Sequence, residues 1–197
     1  MIIKKFIKNG PLQNNNYVII DEESREAVLI DCSEPTDDIM DYIKEQGADL
    51  KYILLTHVHP DHIQGVNYYR KKYGVSVFLH KDDFPLLSQL GQYFAGAESV
   101  SVDKLFDDDA EFSIGNEKIK VIHTPGHTEG SVCYLIDNML FSGDTLFYET
   151  HGRTDLPFSD DAKMRSSLKK LFTLDDNIVV YPGHRKDTTI GAEKVRY

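Results

Sequence analysis

Three of the eight histidines in this 197-residue chain fall within six positions, in the run His57-Val58-His59-Pro60-Asp61-His62. In an extended segment, positions i, i+2 and i+4 point the same way. That reading brings His57, His59 and Asp61 together on one side, with His62 turning in beside them. Three imidazoles and a carboxylate suit Zn, and equally Fe or Mn. The bland alternative is a set of histidines that cap a helix or solvate a loop. The wholly apolar run Tyr52-Ile53-Leu54-Leu55 just before the cluster argues against it. Two further segments carry the same turn after a strand-like run, Thr124-Pro125-Gly126-His127-Thr128 and Tyr181-Pro182-Gly183-His184. Ser142-Gly143-Asp144 follows a third. One Pro-Gly-His is weak evidence. Four such segments at strand ends are the usual way a rigid sheet presents a site on its loops.

The elements that must hold these loops read as follows. Strands are expected at 2–7, 17–21 and 27–31, bounded by Asn9-Gly10-Pro11 and Asp21-Glu22-Glu23-Ser24. Ile39, Met40 and Ile43 predict one helical face over 35–46, stopped at Gly47. A buried strand at 52–55, a helix at 63–73 and a strand at 75–80 complete an α/β pattern. Residues 82–97 are ambiguous between lid and core, and the acidic run 103–111 reads as a solvated connection. Strands are expected again at 112–114, 117–123, 131–137, 139–142 and 178–181, with a helix at 160–172. The order suggests two similar halves, each a sheet covered by helices.

Composition narrows the partners. The formal net charge is −10. It argues against nucleic acid, which is bound through Lys and Arg, and against an anionic membrane surface. No apolar h-region follows Met1, and no apolar run approaches the roughly 18 residues of a spanning helix. Cys32 and Cys133 are too few and too far apart for a disulfide framework. These features predict a cytoplasmic protein with two reduced thiols and a small-molecule substrate.

The His-x-His-x-Asp-His run, followed in order by Gly-His, Gly-Asp and Gly-His, resembles the metallo-β-lactamase-fold superfamily over essentially the whole chain. The resemblance implies an α/β, four-layer αβ/βα sandwich in a single domain over 1–197. It implies that His57, His59 and His127 bind one divalent metal and that Asp61, His62 and His184 bind the second. Asp144 would bridge them together with a water or hydroxide, which Asp61 would also orient. Zinc is the expected metal, with iron or manganese as alternatives. The complete ligand set, Asp rather than Cys at 144, and the absence of a secretion signal look like the compact glyoxalase II-like branch. That branch implies hydrolysis of an acyl thioester such as S-lactoylglutathione. Arg153 matches a basic residue that contacts a glutathione carboxylate, and surface ion pairing is its other reading. Tyr93 and Phe94 are candidate pocket residues. His80, His123 and His151 read as structural. The larger glyoxalase II enzymes add a C-terminal helical domain that holds glutathione. This chain stops at Tyr197, thirteen residues after His184. The rival functions are a persulfide dioxygenase with a single iron, and a hydrolase of another ester, lactone or phosphodiester.

Overall fold

The computed structural model describes residues 1–8, 12–94 and 100–197. Two six-stranded sheets face each other. The first has the order β1 (Ile2–Ile7), β2 (Asn15–Ile20), β3 (Glu26–Ile30), β4 (Asp49–Leu54), β5 (Ser76–His80) and β6 (Lys104–Phe106). Its first three strands are antiparallel, and β3 to β6 run parallel. The second sheet starts from β7 (Glu111–Ile114), β8 (Glu117–His123), β9 (Val132–Ile136) and β10 (Met139–Gly143), an antiparallel meander. A short pair, β11 (Leu146–Phe147) and β12 (Thr150–His151), leaves it as a separate ribbon. Beyond β10 the second sheet continues with β13 (Val179–Pro182), parallel, and β14 (Thr188–Thr189) at the edge.

Period-2 alternation divides the strands between two cores. On β2, Val18 and Ile20 face outward into the helices, while Tyr17 and Ile19 face the other sheet. On β4, Ile53 points outward and Leu54 inward. Helices α1 (Asp38–Glu45), α2 (Pro60–Ile63), α3 (Val66–Tyr73), α4 (Phe84–Leu87) and α5 (Leu90–Tyr93) belong to the first half. Ile39, Met40, Ile43, Val66 and Tyr69 seal its outer face. Helix α6 (Asp161–Leu171) covers the second sheet through Met164, Leu168 and Leu171, and α7 (Ile190–Lys194) adds Ile190. The result is the four-layer αβ/βα sandwich. Among the described residues no helix is long and apolar enough to cross a membrane.

Several elements differ from the sequence reading. The helix expected at 63–73 is two helices, broken at Gly65. There the chain passes so close to the Cys32 and Glu34 carbonyls that a Cβ would overlap them. The run 103–111 is not only a solvated connection, because Lys104–Phe106 forms an edge strand beside β5. Edge strands are short and charged, which hides them from a hydrophobic pattern. The first helix begins at Asp38 rather than 35, and 82–94 folds as short helices. Residues 95–97, and the turn at 9–11, lie outside the described residues.

The two sheets meet just before the histidine cluster. The Val132 N–H donates to the Thr56 carbonyl at 2.9 Å. The fully buried Tyr134 hydroxyl donates to the Leu55 carbonyl at 2.7 Å. Tyr134→Phe should lower stability by about 1–2 kcal/mol, because it strands a buried acceptor. Urea unfolding measures this, and an unchanged midpoint would contradict the clamp.

Candidate metal centre

Strand β4 ends at Leu54, the chain bends at Thr56, and His59 is again extended, with φ −63° and ψ 143°. Pro60 then opens a single helical turn. This changes the expected grouping. Alternation holds for His57 and His59 only, because the backbone turns helical before Asp61. His57 and His59 join His127 in one cluster. Asp61 and His62 join His184 in another, and His57 and His62 also approach Asp144.

The ligand-type atoms converge closely. His59 Nδ1 lies 2.7 Å from His127 Nε2. His62 Nε2 lies 3.3 Å from His184 Nε2, which is 3.4 Å from Asp61 Oδ2. Asp144 reaches both clusters: Oδ1 is 3.3 Å from His62 Nε2, and Oδ2 is 3.3 Å from His127 Nε2 and 3.4 Å from His184 Nε2. His57 Nε2 and Asp144 Oδ1 are buried without a hydrogen-bond partner, as is His59 Nε2 on the other side of its ring from the Nδ1 that meets His127. Buried polar atoms are nearly always satisfied, so the first two fit a missing cation. The residues therefore fit a divalent metal pair.

The far side of four of the five rings is held, His59 being the exception. Thr56 Oγ1 lies 3.0 Å from His57 Nδ1, and the Arg153 carbonyl 2.8 Å from His127 Nδ1. The Leu12 carbonyl lies 2.8 Å from His184 Nδ1. Such partners fix the tautomer that directs Nε2 inward. His62 Nδ1 instead meets the Asp31 carboxylate at 2.8 Å. Asp31 also accepts from the Thr56 N–H and hydroxyl, both at 2.8 Å, and is buried. The sequence reading missed Asp31; a lone acidic residue closing the apolar strand 26–30 was the available signal. It missed Asn14 as well, whose Nδ2 donates to Asp61 Oδ2 at 2.9 Å. Backbone approach is tight: a Cβ on Gly183 would overlap Asp144 Oδ1 and the His62 ring.

Charge is divided unevenly. Burial pushes His57, His59 and His127 down, His59 to about 3, so these rings are neutral and ready to ligate. Burial acts the same way on His62 and His184. There the carboxylates of Asp144 and Asp61, joined at His62 by Asp31, outweigh it and raise both, His184 to about 9. Asp144 stays well below the carboxylate range despite its burial, because His62 and His184 face it.

Residues 9–184 match the Metallo-beta-lactamase superfamily. The chain belongs to that superfamily. It is 32% identical to the probable metallo-hydrolase YqgX of Bacillus subtilis, over 94% of this chain and 91% of the relative. It is 32% identical to Glyoxylase B2 of Dictyostelium discoideum, over 85% of this chain and 64% of that longer protein. BLEG-1 B3 metallo-beta-lactamase superposes with a TM-score of 0.87 at 33% identity, over 98% and 97% of the two chains. TTHA1623, solved in a di-iron-bound form, superposes at 0.83 with 32% identity, over 96% of each.

In this metallo-β-lactamase fold the clusters floor a cleft of about 700 Å³. Phe94 and Phe147 wall it, with their rings 5.1 Å from His59 and 5.7 Å from His184. Arg153 and Arg185 line it too. Arg153 is exposed and paired with Asp155 at 2.8 and 2.9 Å. Tyr93, expected in the pocket, is not in its lining. The helical turn of α5 directs its half-exposed ring onto Phe158, 5.1 Å away. Phe94 takes the pocket position instead. His80 and His123 lie outside the cleft, and His151 is at its rim.

Ligation requires deprotonated imidazole, so a ring titrating near 9 must release its proton to a metal. Adding Zn²⁺ to metal-free protein at pH 7.5 should therefore acidify a weakly buffered solution. Apparent affinity for the His62–His184 cluster should fall as pH drops below about 9. Uptake without proton release would contradict these charge states.

Proposed function

We propose that this protein hydrolyses acyl thioesters of the S-lactoylglutathione type at a two-metal centre. The observation that carries the reading is Asp144, whose carboxylate reaches both clusters: Oδ2 approaches His127 and His184, and Oδ1 approaches His62. A carboxylate shared by two complete ligand clusters fits a pair of ions better than one. His57, His59 and His127 would hold the first, Asp61, His62 and His184 the second, with Asp144 between them. The di-iron form of TTHA1623 and the similarity to Glyoxylase B2 support the same reading. Zinc, iron and manganese all suit this donor set. When bound, such a pair lowers the pKa of water toward neutrality and polarises a carbonyl.

The chain's own residues supply the rest. Asn14 fixes the Asp61 carboxylate, leaving its remaining lone pairs to orient a water. Asp31 and Thr56 hold the His62 and His57 rings against rotation. Phe94 and Phe147 make the walls of the cleft apolar, which suits the acyl and thioether parts of a substrate. Arg153 and Arg185 would draw the carboxylates of a glutathione-like carrier to the rim. A thioester needs no general acid here, because its thiolate leaves near neutral pH, with an ordinary thiol pKa of about 8.5.

Thiol release from S-lactoylglutathione by the metal-loaded protein is the expected activity. Asp144→Ala should lose bound metal and turnover together. Arg153→Ala should raise KM about tenfold with kcat nearly unchanged, the pattern of lost substrate binding. Oxygen uptake with glutathione persulfide, in place of thiol release, would overturn the hydrolase in favour of a single-iron dioxygenase. An Asp144→Ala protein with full metal and full turnover would overturn the shared-carboxylate role.

A further inference from the structure

Outside the cleft, one further group of ligand-type side chains converges among the described residues: His80, Asp108 and His123. They come from three separate places. His80 ends β5 in the first sheet, His123 ends β8 in the second, and Asp108 lies on the connection between β6 and β7. The two imidazoles stack with centroids 4.4 Å apart. His80 Nε2 and His123 Nδ1 both face one oxygen, Asp108 Oδ1, at 3.0 and 3.1 Å.

Hydrogen-bond accounting asks for a cation at this point. His123 Nε2 lies 2.9 Å from the Glu129 carbonyl, which only accepts, so Nε2 carries a proton. Nδ1 faces a carboxylate oxygen 3.1 Å away. That contact is satisfied by a positive charge between the two atoms, either a second ring proton or a metal ion. Burial, and the neighbouring His123, push the His80 ring toward its neutral form, the one that ligates.

We propose that His80, Asp108 and His123 form a second, separate site for a transition-metal ion such as Zn²⁺, which ties the two sheets together. Metal–nitrogen and metal–oxygen bonds of 2.0–2.2 Å place ligand atoms about 3.3 Å apart around a tetrahedral ion. The observed 3.0 and 3.1 Å need only a few tenths of an ångström of opening, and Asp108, 60% exposed, is free to give it. The same exposure leaves a solvent path and a fourth position for water. The outer partner of a metal histidine is already present at His123, whose Nε2 has the Glu129 carbonyl. His80 Nδ1 accepts from the Asp82 N–H at 3.4 Å, a contact that ligation through Nε2 would exchange for one to the Asp82 carboxylate.

The position gives the ion a structural consequence. Three residues after His80, the buried Asp83 accepts from the Thr128 hydroxyl at 2.9 Å and the Gly130 N–H at 2.7 Å. His123 leads directly into Thr124-Pro125-Gly126-His127. An ion joining His80 to His123 therefore braces both ends of the loop that presents His127 to the cleft.

The test is a metal count on wild-type, His123→Ala and Asp108→Asn proteins dialysed against the same Zn²⁺ solution. The proposal expects each variant to retain one equivalent fewer than wild type, however many the main centre holds. Asp108→Asn changes an exposed side chain, so its count is read without disturbing the core. Wild type should also gain more thermal stability from added Zn²⁺ than Asp108→Asn does. Equal counts in all three proteins would overturn the site and leave a second ring proton as the cation at His123.

Discussion

The rest of the structure depends on one electrostatic constraint: five imidazoles and two carboxylates converge where water is largely excluded. Unpaired lone pairs are costly to bury, and aligned lone pairs repel. His57 Nε2 and Asp144 Oδ1 have no hydrogen-bond partner in the folded chain, and the charged His62 ring is the counterion nearest that oxygen. The fold tolerates this only because the site as a whole is built for cations. Protons fill part of that role at His62 and His184, where the carboxylates hold both rings charged. The rings of His57, His59 and His127 are held neutral by burial, the form that suits a metal ion.

The two sheets exist, in this view, to hold those ligands against their mutual repulsion. Five of the seven candidate ligands lie past a strand end: His57 and His59 after β4, His127 after β8, Asp144 after β10 and His184 after β13, while Asp61 and His62 sit in the single turn of α2. Backbone bonds lock these ends together. The Thr56 carbonyl accepts from Val132, and the Gly143 carbonyl from Gly183. The Gly183 carbonyl accepts from Asn15, which ties the second sheet back to the first. Asn14, Asn15 and Asn16 are all buried, which is unusual for consecutive amides, and Tyr17 is buried beside them. Tyr17 explains its cost: its hydroxyl donates to the Pro182 carbonyl at 2.8 Å, two residues from His184.

Much of this was legible in the sequence because metal ligation demands rare residue types at strand ends, and strands announce themselves by apolar runs. The layered architecture followed from those two signals together with the family resemblance, and the seven candidate ligands that the resemblance implies are brought together by the fold. The grouping of Asp61 did not follow from alternation. A proline at the first position of a helical turn changes the period from 2 to 3.6 within two residues. Asp31 and Asn14 were hidden because their work is done through partners distant in sequence. Each is an ordinary polar residue until the fold brings His62 or Asp61 against it. Tyr93 and Phe94 were adjacent candidates, and only the local turn decides which ring enters the cleft. His80 and His123 read as structural singly, and their meeting across the two sheets is invisible to any local pattern.

The central claim is a pair of metal ions sharing Asp144. Anomalous diffraction from crystals of the metal-loaded protein, collected at the absorption edge of the bound metal, tests it most directly. The account predicts two peaks in the cleft about 3.5–4 Å apart, one on each side of the Asp144 carboxylate. A single peak in the cleft at full loading, with the Asp61, His62 and His184 cluster empty, would contradict it.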